Sequence, residues 1–99
     1  MIVVTGEIEI DPAQIETLRA AAITMMEETA KEAGCEFYRF YQDLEHPGRL
    51  RVYEEWESEA HLQAHMETAH MAVWRSALAE IDIKSRKIQV LTGAAARAL

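Results

Sequence analysis

Residues 35–57 read CEFYRFYQDLEHPGRLRVYEEWE, and this stretch decides the fold. From Cys35 to Leu44 the rings alternate, with Phe37 and Tyr41 on one side and Tyr38 and Phe40 on the other. Glu45-His46-Pro47-Gly48 then has turn chemistry. From Arg49 to Glu57 alternation resumes: Leu50, Val52, Glu54 and Trp56 share one face, while Arg51, Tyr53 and Glu55 share the other. A period of two on both sides of a Pro-Gly turn predicts an antiparallel hairpin. Rings on both faces of its first strand predict that the sheet is covered on both sides. Glu54, a carboxylate on the more apolar face, is the anomaly of the stretch.

Upstream, residues 2–10 alternate in the same way, and Gly6 in their middle predicts a bulge or a close approach by another group. Asp11-Pro12, with Gln14 completing a box-like signal, predicts a helix start. Ile15, Leu18, Ala22, Met25, Met26, Thr29 and Ala33 form its apolar stripe, and Gly34 is placed to stop it in a left-handed conformation. Downstream, Ser58 opens a short helix over Glu59–Met66, a second helical piece runs from about Thr68 to Glu80, and Asp82–Leu91 alternates as a fourth strand. Gly93 ends that strand, giving one domain over residues 1–93 and a tail over 94–99.

The order β-α-β-β-α-β is the α+β, ferredoxin-like pattern: helices on one face of a four-stranded antiparallel sheet. The other face is left bare although the strands put apolar groups on both sides, so it needs a cover, and a two-fold homodimer built sheet to sheet supplies one. The chain has 99 residues, 49% of them apolar, with 17 acidic against 10 basic side chains, a formal charge of -7. That length is one domain with a modest core. The acidic balance argues against nucleic acid and anionic membranes as partners. No apolar run is long enough to span a bilayer and the N-terminus lacks signal-peptide features, so the expected location is cytoplasmic. Cys35 is alone, which excludes an internal disulfide and a multi-cysteine metal cluster.

Four stretches carry a family likeness: Gly34-Cys35-Glu36-Phe37-Tyr38, Glu54-Glu55-Trp56-Glu57-Ser58, Ala60-His61-Leu62-Gln63-Ala64-His65 and Thr68-Ala69-His70-Met71. Together they resemble the antibiotic biosynthesis monooxygenase domain, and within it the quinol monooxygenase branch, over roughly residues 2–93. The resemblance implies a dimeric α+β barrel with one cavity per subunit. It also implies oxidation of a quinol or polyphenolic aromatic by O₂ with no cofactor: no metal, flavin or haem. The haem-degrading branch of the family places an Asn, a Trp and a His where this chain has Thr5, His65 and Arg75, so that pattern is absent. A second reading is a non-catalytic dimeric barrel that binds a small aromatic metabolite.

The resemblance assigns His65 to the cavity wall, where an imidazole could accept a phenolic proton. Glu54 or Tyr38 would orient that histidine or the substrate, making His65 and Glu54 the catalytic candidates. Tyr38, Trp56, His70 and Trp74 are the candidate substrate contacts. Each has a structural alternative: a half-buried His65, a Glu54 paired with Arg39 or Arg51, a His70 bracing the helix break, and a Trp74 in the core. His61 and His65, four apart on one helix, share a face, but no intervening Glu and no third ligand accompany them, so no metal is expected.

Overall fold

The computed structural model describes all residues 1–99. β1 (Ile2–Ile10), α1 (Gln14–Thr29), β2 (Cys35–Gln42), β3 (Arg49–Trp56), α2 (Glu59–Met66), α3 (Ala69–Ala79) and β4 (Ile83–Leu91) follow one another along the chain. The strands form one antiparallel sheet in the order β2-β3-β1-β4. This is the ferredoxin-like arrangement, with the second helix in two pieces. Within one chain the sheet is open, with β2 and β4 at its edges.

Register explains which side chains meet the helices. Val4 pairs with Glu54, which pairs with Tyr38; Gly6 pairs with Val52, which pairs with Phe40. The residues on this face join Leu18, Met25, Leu62 and Trp74 from the helices in a single core. Gly6 serves a close approach: a Cβ there would sit 2.1 Å from the Lys87 carbonyl oxygen. The register shift in β1 lies between Glu9 and Ile10, not at Gly6.

The outer face is more polar than the strand pattern predicts. Phe37 stacks edge-on against Tyr53 there, and Tyr41 is exposed. Around them Arg51 pairs with Glu7 at 3.4 Å, Arg49 approaches Glu9 at 3.9 Å, and the Tyr53 hydroxyl donates to Glu55 at 2.7 Å. Alternation alone could not show that the charged residues of β1 and β3 would face one another.

The helix after β1 is shorter than expected at both ends. Asp11 accepts from the Ala13 N–H at 2.9 Å, but the helix proper begins at Gln14. It stops at Thr29, so Ala33 is exposed and Glu32 lies in a turn rather than on a helical face. Gly34 then takes the left-handed conformation, with φ +78°. Ser58 and Thr68 cap α2 and α3, accepting from the N–H groups of His61 and Met71. Residues 94–99 form no helix or strand, though the Ala94 N–H donates to the Met1 carbonyl at 3.1 Å.

Candidate functional site

A cavity of about 440 Å³ opens between the sheet and α3. Its floor is Val4, Ile8, Val52 and Glu54 from β1 and β3, and its aromatic walls are Tyr38, Phe40 and Trp74. The volume falls in the range of small-molecule sites, and the lining is mostly apolar with few polar groups, as such sites require. Phe40 and Trp74 stand 4.9 Å apart between ring centroids, and Tyr38 meets Phe40 edge-on at 5.5 Å. A wetter recess adjoins the cavity and shares Val4, Glu54, Met66, Met71, Arg86 and Ile88 with it; His65 borders this recess.

Glu54 is buried and no cation touches it. Its Oε1 accepts from the Trp56 indole N–H at 2.9 Å. Burial pushes its carboxyl up to about 7; the indole hydrogen bond opposes that rise, and the negative charge of Glu32 adds to it. Tyr38, beside it on the cavity wall, has its phenol held well above the usual value by burial and by the nearby carboxylates of Glu54 and Glu32. The Tyr38 hydroxyl is therefore a donor at neutral pH. Cys35 is raised to about 11 by burial and by Glu32, so its thiol is un-ionised at neutral pH and a poor nucleophile.

His65 is almost wholly enclosed, packed between Trp56 at 4.8 Å and Tyr38 at 5.4 Å. Its Nδ1–H donates to Glu32 Oε2 at 2.7 Å. The same oxygen accepts from His70 Nε2–H, also at 2.7 Å. This hydrogen bond assigns the His65 tautomer: Nδ1 carries the proton and Nε2 the lone pair. Nε2 has no partner within the chain. His65 as a residue borders the recess. Burial lowers the His65 pKa and outweighs the Glu32 hydrogen bond, which raises it; the imidazole is neutral at pH 7. Thr68 fixes the backbone of this pair, since its hydroxyl donates to the His65 carbonyl at 2.8 Å.

Of the residues singled out in the sequence, Tyr38, Glu54 and Trp74 meet in the cavity and His65 stands in the adjoining recess. Trp56 and His70 lie behind them. Trp56 is fully buried against Glu54 and His65, and His70 ties α3 to the turn before β2. His61 faces elsewhere: its Nδ1 lies 2.7 Å from Ser58 Oγ and its ring covers Gly34. The carboxylate that orients His65 is Glu32, not Glu54. Glu32 escaped the sequence reading because its position looked like the polar end of a helix. Glu32, His65 and His70 also bring three donor atoms within 4.8 Å of one another, the donor types of a two-histidine, one-carboxylate metal site. In the structure two imidazole protons satisfy that arrangement.

The antibiotic biosynthesis monooxygenase family model matches residues 1–77. The chain belongs to that family. An uncharacterized protein of Synechocystis sp. (strain PCC 6803) is 33% identical over 69 residues, covering 70% of this chain and 47% of its own length. The chain thus spans about half the length of that curated relative. A conserved protein from Methanosarcina mazei Go1 is 31% identical, with 91% of this chain and 89% of that chain covered, at a TM-score of 0.84. A candidate antibiotic biosynthesis monooxygenase from Nitrosomonas europaea is 26% identical, with 94% and 98% covered, at a TM-score of 0.86. Glu54, His65, His70 and Trp74 all fall inside the segment matched to the antibiotic biosynthesis monooxygenase model. β4, which supplies Arg86 and Ile88 to the cavity, lies beyond it.

Proposed function

We propose that this antibiotic biosynthesis monooxygenase domain oxidises a small phenol or quinol with O₂, using the substrate as its own source of electrons. The observation that carries the reading is the aromatic-walled cavity with Glu54 on its floor, joined to a recess bordered by His65, whose Nδ1 is held by Glu32 from behind. The ring lies among Phe40, Trp74 and Met71, and its hydroxyl meets Glu54 and Tyr38. His65 Nε2 takes the phenolic proton, and Glu32 stabilises the imidazolium that forms.

The phenolate passes one electron to O₂, and the resulting pair recombines as a new bond between a ring carbon and oxygen. The O–O bond then breaks as that carbon loses its hydrogen. One oxygen atom stays on the ring as a quinone carbonyl, and the other leaves as water with the ring hydrogen and the phenolic hydrogen. The phenol loses four electrons in all and O₂ accepts four. The protein's part is to hold the ring, keep the site dry and move one proton.

The test is O₂ consumption on adding 1-naphthol or simple hydroquinones to chelator-treated protein. Saturable uptake above the autoxidation background, with one quinone per O₂ for naphthol, is the expected result. Saturable binding without uptake would replace this reading with the aromatic-binding module. Loss of turnover on chelation, restored by one added metal, would instead turn Glu32, His65 and His70 into a metal centre.

A further inference from the structure

Six of the ten Lys and Arg side chains of this acidic chain have no carboxylate within ion-pair distance, and two of those six line the cavity. Arg19, Lys31, Arg49 and Arg51 each stand near a carboxylate on the outer surface. Arg75 and Arg86 do not: both line the cavity, and neither has a carboxylate within ion-pair distance. Arg75 follows Trp74 on α3, and its Nη2 donates to the Met66 carbonyl, which anchors the guanidinium at the cavity edge. Arg86 comes from β4, opposite Ile8 in the sheet, and borders both the cavity and the recess.

The remaining charged side chain of the lining is Glu54, and burial favours its neutral form near pH 7. A protein of net charge -7 therefore carries a cavity whose own charge is positive. An apolar pocket gains nothing from two guanidiniums if its ligand is a plain hydrocarbon ring with hydroxyls. A guanidinium presents a planar fork of N–H donors that matches a carboxylate, and Arg75 and Arg86, both exposed at the cavity rim, can meet an acid group that projects from the bound ring.

We infer that the cavity selects aromatic substrates bearing a carboxylate, with the ring against Trp74 and Phe40 and the acid group held between Arg75 and Arg86. The inference rests on the reading of the cavity as an aromatic-binding site and names the class of aromatic. The same pair of charges would favour the phenolate over the phenol, lowering the cost of the first proton transfer.

The experiment is calorimetric titration under argon with 1-hydroxy-2-naphthoate and with 1-naphthol, which differ by the carboxylate alone. The wild-type chain should bind the naphthoate at least about tenfold more tightly. Arg86→Gln should remove most of that preference while leaving 1-naphthol within about twofold, and Arg75→Gln should act in the same direction. Equal affinity of the wild type for the two probes would overturn the inference, as would binding of neither. So would variants that weaken both probes alike, since that reports a damaged cavity rather than a lost charge contact. With O₂ excluded, the outcome is independent of turnover: the selectivity can hold where oxygenation fails, and fail where oxygenation holds.

Discussion

Glu32 Oε2 lies 2.7 Å from His65 Nδ1, across 33 residues of sequence. The contact joins the turn after α1 to the last turn of α2, and His70 from α3 closes on the same oxygen. One carboxylate thus fixes one imidazole beside the recess and braces a second behind it. Removing its charge should act through His65. Glu32→Gln is expected to lower kcat by about 10–10⁴-fold, the span between losing a carboxylate that orients a histidine and losing one that also sets its tautomer. KM should stay within about twofold, since Glu32 lines neither the cavity nor the recess. Because the carboxylate raises the His65 pKa, its loss should move the acid limb of the pH–rate profile to lower pH. An unmoved limb would reduce Glu32 to a structural brace.

Glu54 offers a prediction in stability. Its carboxyl titrates at about 7 in the folded chain against 4.5 in the ordinary state. Below about pH 4.5 the folded and unfolded forms both hold the proton, and Glu54 exacts no penalty. Between 4.5 and 7 the folded form keeps a proton that the unfolded chain has released, so stability falls as pH rises; above 7 the cost is complete. Glu54→Gln keeps an acceptor for the Trp56 indole and removes the buried charge. It should change the urea midpoint little at pH 4 and raise it at pH 8, with a gain in unfolding free energy of at most about 3 kcal/mol on the unit-per-pKa conversion. Turnover should fall in the same variant. A Glu54→Gln chain no more stable than wild type at pH 8 would mean that the carboxylate is solvated.

The strands, the helix break and the left-handed glycine were legible because each depends on a few adjacent residues: alternation around Pro47-Gly48, the caps Ser58 and Thr68, and Gly34. Glu54, Tyr38 and Trp74 stood out as candidates because each is polar or aromatic at a position whose neighbours define a face, and His65 was a candidate through the family resemblance. Glu32 and Arg86 were not. A carboxylate in a turn and an arginine on an edge strand have the look of ordinary surface, and only closure of the chain shows what they approach. The i,i+4 spacing of His61 and His65 offered no third ligand in the sequence. Spacing on one helix says nothing about His70, which comes from the next helix and shares the carboxylate with His65.

The edges of the sheet carry a prediction about assembly. β4 is an edge strand with Leu91 exposed on the outer face, and Phe37 and Tyr41 are exposed on that face of β2. Apolar surface on strand edges is a pairing template unless something covers it. A second copy is the economical cover, so sedimentation at low micromolar concentration should give about twice the 11.2 kDa chain mass. A monomer that unfolds cooperatively at that concentration would remove the sheet-to-sheet dimer, and with it the closed barrel.

The sharpest prediction compares two histidines on α2. His65 borders the recess, has Nδ1 engaged by Glu32 and the lone pair on Nε2, and stays neutral at pH 7 because burial lowers its pKa. As the base for a phenolic proton, it should be worth about 10²–10⁴-fold in the chemical step, measured by replacing it with alanine. His65→Ala also leaves Glu32 with one histidine instead of two, so some stability is lost, and turnover must be measured on protein shown to be folded. His61 lies one turn earlier, bonded to Ser58 and packed over Gly34, outside both the cavity and the recess. His61→Ala should therefore lower the melting temperature and leave turnover within a few-fold, which makes it the control for damage to α2. At pH 9 more substrate arrives already ionised, and the His65→Ala chain should recover part of its rate while His61→Ala does not change in the same way. Equal, small losses at both positions would discard His65 as the base. The proton would then have to leave through Glu54, the remaining cavity group that titrates near neutral pH.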